Sequence, residues 1–258
     1  MPFMPEESSD LPPVIVAGES RPARWLVLCD HASNAVPSWV ANGDLGISRD
    51  DMSRHIAYDV GASGLALKLA ALLDAPAVLA NYSRLVIDPN RGEHDPTLVM
   101  RIYDGTIIPA NRDADETEIE RRKEMLYRPY HRTIERIAAR RPDTVILSVH
   151  SFTPQFRGRK PRPWHVTLLF ADDDRLSLPL LAGLARERRL VVGANQPYSG
   201  RLEGDTIDRH AVQTRRQNTL IEVRNDLIGG ERDQAEWADR LARVLPEALQ
   251  AAETRGDA

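Results

Sequence analysis

Three residues in this chain stand where chemistry is commonly placed: His31, His150 and Glu222. Each meets the end of a short apolar run. Trp25-Leu26-Val27-Leu28-Cys29 runs into Asp30-His31, Thr144 to Val149 runs into His150-Ser151, and Leu220-Ile221 runs into Glu222-Val223-Arg224. Such runs read as buried strands. Open α/β sheets bind their ligands beyond the carboxyl ends of those strands. Histidine is the commonest metal-ligating side chain, and a hydrolytic zinc takes three protein ligands and leaves one position for water. Strands delivering His, His and Glu therefore read as one metal site with a general base. The plain alternative is that each histidine only joins a hydrogen-bond network, since no HExxH or CxxC anchors a metal.

Asp59 is the first choice for a third ligand. His55 lies four residues before it, on the same side of a presumed helix, and is the second choice. Asn34 follows His31 at the spacing where an HxxE motif would carry its carboxylate, and an amide is a poor replacement. Capping or surface roles compete for Asp59 and His55. Glu222 interrupts a stretch that otherwise reads as core, where a carboxylate is costly unless it is paired or working. As a general base it would take a proton from water and pass one to a leaving nitrogen. A buried ion pair with Arg224 or Arg84 is the competing account. Arg84, Asn90 and Arg91 flank Ile87-Asp88-Pro89, and arginine grips carboxylates bidentately. A surface position is nevertheless the usual state of an arginine.

The elements that must position these groups alternate between strand and helix. Residues Met1 to Pro22, rich in Pro, Ser and Glu, read as a flexible arm. Residues 23–258 read as a single α/β domain. After the first strand, Asn42-Gly43-Asp44 is turn chemistry, and helical spacing runs from about Ser53 to Leu73, with Asp50 or Ser53 as cap. Gly61 and Gly64 weaken that helix or let it approach another backbone or a ligand. Ala77 to Ala80 is a strand, and Arg84 to Asp88 is a further strand or its continuation. A long loop reaches about Asp115, a length that suits a working segment. Thr117 to Arg141 is an amphipathic helix broken or kinked at Pro129. Pro154 to Pro163 is a basic surface loop. Trp164 to Phe170, Leu190 to Val192 and Asn218 to Arg224 are strands. Leu176 to Arg189 and Gln234 to Ala252 are helices, with a short helix near Thr206 to Gln213. Alternation of this kind implies a mainly parallel sheet covered on both faces.

With 258 residues, the chain can bury a sizeable core. Its formal net charge of −4 leaves no basic footprint for nucleic acid. The single cysteine, Cys29, falls in an apolar run and is expected to be a buried small hydrophobe in a reducing compartment. The acidic, proline-bearing start does not resemble a signal peptide, and no stretch is long enough to span a bilayer. The expectation is a cytoplasmic protein without nucleic-acid or membrane partners. No glycine-rich phosphate loop follows the first strand, which disfavours a nucleotide binder.

Asn81-Tyr82-Ser83-Arg84-Leu85-Val86-Ile87-Asp88-Pro89-Asn90-Arg91 resembles the S/T-R-x-V-x-D-x-N-R signature of N-formylglutamate amidohydrolases. The segments Asp30 to Ser33, His55 to Ala62, Val149 to Phe152, Asn195 to Gly200 and Ile221 to Arg224 are similar too, and occur in the same order. The resemblance implies a zinc-dependent amidohydrolase with a phosphorylase/hydrolase-like three-layer α/β/α sandwich, akin to zinc carboxypeptidases. It implies cleavage of N-formyl-L-glutamate to formate and L-glutamate, a reaction of histidine degradation. Carried over, His31 and His150 would hold zinc and Glu222 would be the general base, while the resemblance does not assign the third ligand, for which Asp59 stands as the first choice. Arg84 and Arg91 would hold substrate carboxylates or polarise the scissile carbonyl. Asn90, Ser33, Asn34, Ser151, Asn195, Tyr198 and Arg224 are expected to contact a small anionic N-acyl amino acid. The wording of Asp30 to Asn34 and His55 to Ala62 belongs to a related branch. Another N-acyl amino acid or a peptide-like amide therefore stands as an alternative substrate. A metal-free protein that binds an anionic metabolite is the rival from another class.

Overall fold

The computed structural model describes residues 12–256. In chain order the strands are β1 (Val14–Ala17), β2 (Trp25–Cys29), β3 (Ala77–Ala80), β4 (Ile102–Tyr103), β5 (Thr106–Ile107), β6 (Val145–Phe152), β7 (Val166–Leu169), β8 (Val192–Ala194) and β9 (Asn218–Arg224). The helices are α1 (Arg49–Met52), α2 (Ala62–Leu72), α3 (Pro109–Arg112), α4 (Glu116–Arg122), α5 (Arg128–Ala138), α6 (Ser177–Leu184) and α7 (Glu231–Gly256). A seven-stranded sheet runs in the order β1-β3-β2-β6-β9-β7-β8. Pairing is parallel except at β1–β3 and β7–β9.

The apolar runs are buried on both sides because side chains alternate between two covered faces. One face sends Trp25, Val27, Cys29, Leu147, Val149, Ile221 and Val223 against α2, α6 and α7. The other sends Leu26, Leu28, Ile146 and Leu220 against Tyr130, Ile134 and Ile137 of α5 and the loop that follows β3. The result is a three-layer α/β/α sandwich. Burying one leucine of this kind contributes about 1.5–3 kcal/mol. Cys29 is buried among these residues, as its position in the run implied. Among the described residues no helix is long and apolar enough to cross a membrane.

Several elements differ from the sequence expectation. The expected arm includes β1, whose residues pair with Ala77 to Ala80, while residues 1–11 lie outside the described residues. The helix expected from Ser53 begins only at Ala62. Ser48 caps the short α1 by accepting the Asp51 N–H, and residues 53–61 are turns. Gly61 explains the late start. At φ +80° a Cβ on it would lie 2.2 Å from the Ile228 carbonyl oxygen, so only glycine lets the chain turn into α2 against that backbone.

Residues 84–88 are fully buried yet form no strand. Their carbonyls are taken by side chains. Asn111 Nδ2 donates to Leu85 O at 2.7 Å, and the buried Arg122 donates to Val86 O at 2.9 Å. Arg84 N–H donates to Ala57 O and Asp88 N–H to Leu98 O. With these partners supplied, no sheet ladder is needed. The long helix before β6 is interrupted by a π turn at Lys123–Tyr127, immediately ahead of Pro129 in the first turn of α5. The long loop is not structureless, since it holds the β4–β5 hairpin and α3.

Candidate active site

His31 follows β2, and His150 lies inside β6, three residues further into a strand than its apolar run indicated. The Nε2 of each imidazole meets a buried carboxylate. His31 Nε2 is 2.7 Å from Asp88 Oδ1, and His150 Nε2 is 2.8 Å from Asp30 Oδ2. A carboxylate accepts only, so Nε2 carries a proton in each ring, and an Nδ1 that also meets a carboxylate holds either a second proton or, once deprotonated, a cation on its lone pair. Both Nδ1 atoms then point at one oxygen: Asp59 Oδ2 lies 3.3 Å from His31 Nδ1 and 2.9 Å from His150 Nδ1. Asp59 is fixed by its own backbone, whose N–H donates to His31 O, and by the Ser151 N–H on Oδ2.

Two lone pairs and a carboxylate cannot share a buried space without positive charge between them. His31, Asp59 and His150 offer ligand atoms that all lie within 4.8 Å of one another, a group that could hold a metal ion. His31 Nδ1 and Glu222 Oε2 are buried with no hydrogen-bond partner. Burial pulls His150 down, but its hydrogen bonds to Asp30 and Asp59 outweigh this and raise its pKa well above the ordinary histidine value. Burial pushes Asp59 up, and the two imidazoles overcome it and hold the carboxyl far below its usual range. Thus the site favours a cation in the place where the Nδ1 atoms converge. Two nitrogens and an oxygen form a donor set suited to zinc.

Glu222 faces this cluster from the neighbouring strand, in register with His150. Its side chain forms no ion pair among the described residues. Arg224 instead pairs with Asp226, and Arg84 with Asp88. At 7% exposure, burial is the main influence on Glu222 and raises its pKa to about 7; Asp59 pushes in the same direction and His150 opposes. Arg84 Nη2 donates to Asp88 Oδ2 at 2.7 Å, its Nη1 lies 3.6 Å from Asp59 Oδ1, and its Nε has no partner. Burial works against the Arg84 charge, but Asp88, Tyr103 and Asp59 together outweigh it and keep the guanidinium protonated.

A cavity of about 140 Å³ opens on these groups. It brings together His31, Asp59, His150, Glu222, Arg84, Asn90, Arg91, Ser151 and Tyr198. Ser33, Asn34, Asn195 and Arg224 do not line it. Ser33 Oγ accepts the Ala35 N–H, and Asn34 donates to Met52 O. Asn195 Oδ1 accepts the N–H groups of Phe170 and Gly200 and so shapes the loop that carries Tyr198. His55 borders the cavity but stands apart from the metal-competent group, 3.4 Å from Asp104. With residues 53–61 in turns, the i, i+4 relation between His55 and Asp59 does not exist.

The carboxylates behind the histidines had no assigned role in the sequence reading. Asp30 accepts from four side chains: Tyr130 OH at 3.0 Å, Thr206 Oγ1 at 2.6 Å, Ser148 Oγ at 2.8 Å and His150 Nε2. The available signal was position: Asp30 directly follows a buried strand, and Asp88 closes the apolar run Leu85-Val86-Ile87. A carboxylate in either setting needs a charged or hydrogen-bonding partner. Tyr103, carried over Arg84 by the β4–β5 hairpin at 5.3 Å, had no comparable signal.

A family model described as N-formylglutamate amidohydrolase matches residues 23–229. Among solved structures, the gene product Atu2144 from Agrobacterium tumefaciens is 35% identical with a TM-score of 0.88, over 94% of this chain and 96% of that one. N-formylglutamate amidohydrolase from Ralstonia eutropha JMP134 is 20% identical with a TM-score of 0.67, over 95% of this chain and 100% of that one, a likeness of fold. No curated protein matches the chain. The chain is a hydrolase acting on amide bonds and belongs to the N-formylglutamate amidohydrolase family.

Proposed function

We propose that the chain is a zinc-dependent amidohydrolase that cleaves the amide of an N-acyl amino acid. The observation that carries this reading is the convergence of His31 Nδ1 and His150 Nδ1 on Asp59, with the unpaired Glu222 beside them. His31, Asp59 and His150 would hold the zinc. The metal supplies Lewis acidity toward the scissile carbonyl and the attacking water.

The chain's own residues do the rest. Glu222 accepts the water's proton and delivers it to the leaving nitrogen. A pKa raised to about 7 suits a group that must both take and give a proton near neutrality. Asp88 and Asp30 hold the two imidazoles in the tautomer that frees Nδ1. Arg84, fixed by Asp88, stabilises charge developing on the carbonyl oxygen. Arg91 grips a substrate carboxylate, and Asn90, Ser151 and Tyr198 shape the cavity around it. Within the class, N-formyl-L-glutamate is the substrate the family description points to and the first to assay.

The test is zinc content and formate release, wild type beside His150→Ala. About one zinc per chain in the wild type is expected, lost together with activity in the variant. A wild type that takes up no zinc under any loading condition would remove the metal mechanism and favour a metabolite-binding role.

A further inference from the structure

We propose that this chain's preferred substrate carries a single carboxylate and an uncharged apolar side chain, in place of the second carboxylate of glutamate. The inference rests on the amidohydrolase reading and narrows the substrate class. Its first ground is the supply of positive charge. Arg84 and Arg91 are the arginines that line the cavity. Arg84 is already committed to Asp88 and Asp59. Arg91 forms no ion pair among the described residues; it donates to Asn90 O and Thr97 Oγ1. One free guanidinium matches one carboxylate. Arg162 is stacked on Phe152, Phe156 and Tyr198 and does not line the cavity. His55 is pulled below the ordinary histidine value by burial and brings no charge at neutral pH.

The second ground is the wall beside Glu222. Leu220 lies two residues before Glu222 on β9, on the same face, and pairs across to Leu169 of β7. Leu169, Leu220 and Ile207 belong to one hydrophobic cluster, with Tyr198 packed against it, and Leu202 completes the lining. Asp205 stands at this wall and reports its character. Its Oδ1 accepts the Asp208 N–H, and among the described residues no donor meets its other oxygen. Burial is the main cause that pushes the Asp205 carboxyl up to about 7; the Asp208 N–H and His150 oppose it, and the charges of Asp30 and Asp208 add to it. A wall that resists the charge of a resident carboxylate would resist that of a substrate. An apolar substituent placed there loses nothing polar and buries its surface.

The experiment is calorimetric binding to the zinc-loaded Glu222→Gln protein, comparing N-formyl-L-leucine with N-formyl-L-glutamate. Leucine is expected to bind tighter by about tenfold or more, the scale on which hydrophobic pockets discriminate. Leu202 is half-buried in a loop, so a second substitution of Leu202→Arg in the same protein should erase or invert the preference. Leu202→Met serves as the volume-conserving control and should keep it. Equal or tighter binding of the glutamate compound overturns the proposal. So does binding of neither compound, or a preference that Leu202→Arg leaves untouched. Formate release by the wild type is read separately. A leucine preference without any formate release would keep the subsite and remove the amidohydrolase reading.

Discussion

Asp88 joins His31 to Arg84. One of its oxygens lies 2.7 Å from His31 Nε2 and the other 2.7 Å from Arg84 Nη2, and the residue has no exposed surface. The imidazole that would bind metal and the guanidinium that would face the carbonyl are therefore positioned by one carboxylate. Neither can move without the other. Both are buried, so solvent cannot substitute for Asp88.

Asp88→Asn keeps the shape and removes the charge. Zinc affinity should fall by about 10–100-fold, as for other groups that orient a metal-bound histidine. Competition with a chromogenic chelator measures it. An affinity equal to that of the wild type would show that Asp88 serves only the local fold.

Glu222→Gln should leave zinc at about one per chain and lower kcat by about 10²–10⁴-fold, the usual contribution of a positioned proton carrier. Elemental analysis and formate release on the same sample separate the two effects. Loss of zinc in this variant would make Glu222 a ligand and leave the base unidentified.

Asp30→Ala should destabilise the protein by about 3–5 kcal/mol, because His150 would lose its carboxylate partner in a buried site. Tyr130, Thr206 and Ser148 would lose their common acceptor at the same time. Calorimetric unfolding should show Tm lower by about 10 °C for a chain of this length. A shift of a degree or less would mean that water replaces the carboxylate and the network is dispensable.

A second histidine pair gives a pH prediction. His131 Nε2 donates to Pro89 O at 3.1 Å, so its Nδ1 accepts from His210 Nε2 at 2.7 Å, and both rings are neutral. Burial, with Arg209 adding to it, lowers the His210 pKa from 6.5 to about 3. Between those values the folded chain binds fewer protons than the unfolded chain. Stability from this group is complete above pH 6.5 and is lost as pH falls toward 3, at up to about 1.4 kcal/mol per pH unit. His210→Gln removes the titration. The stability gap between wild type and variant, measured by urea unfolding, should narrow steadily as pH is lowered from 7. A gap independent of pH would show that His210 titrates normally in the folded state.

Much of the scaffold was legible in the sequence. β2, β3 and β9 have the bounds their apolar runs implied, because a strand buried on both faces needs no pattern beyond continuous hydrophobicity. Residues 84–88 carry the same kind of run and form no strand, since the groups that satisfy their carbonyls, Asn111 and Arg122, come from far along the chain. Helical spacing at Ile56 and Val60 was equally local, and the close approach of Gly61 to Ile228 overrides it. His31, His150 and Glu222 were visible as residues of the right type at strand ends, and Asp59 as a carboxylate on a presumed helix that turned out to be a run of turns. The duties of Asp30 and Asp88 were not, because what a buried carboxylate does depends on what faces it. The position of Arg224 outside the cavity was hidden for a similar reason: Asp226, two residues on, claims its guanidinium.

Among the described residues β9 is the last strand in sequence, yet it lies between β6 and β7. A ribosome making this protein releases both neighbours long before the piece that joins them. Through that interval β6 and β7 each present an unpaired edge, the kind of surface that recruits other chains. The arrival of residues 218–224 closes both edges and sets Glu222 beside His150 in the same event. A chain stopped short of that point lacks Glu222 as well as the centre of its sheet, so it exposes strand edges and is missing the carboxylate proposed to carry the proton. Emergence of residues 218–224 is thus the step that assembles the cluster around His150, and it coincides with the step that covers both edges against other copies.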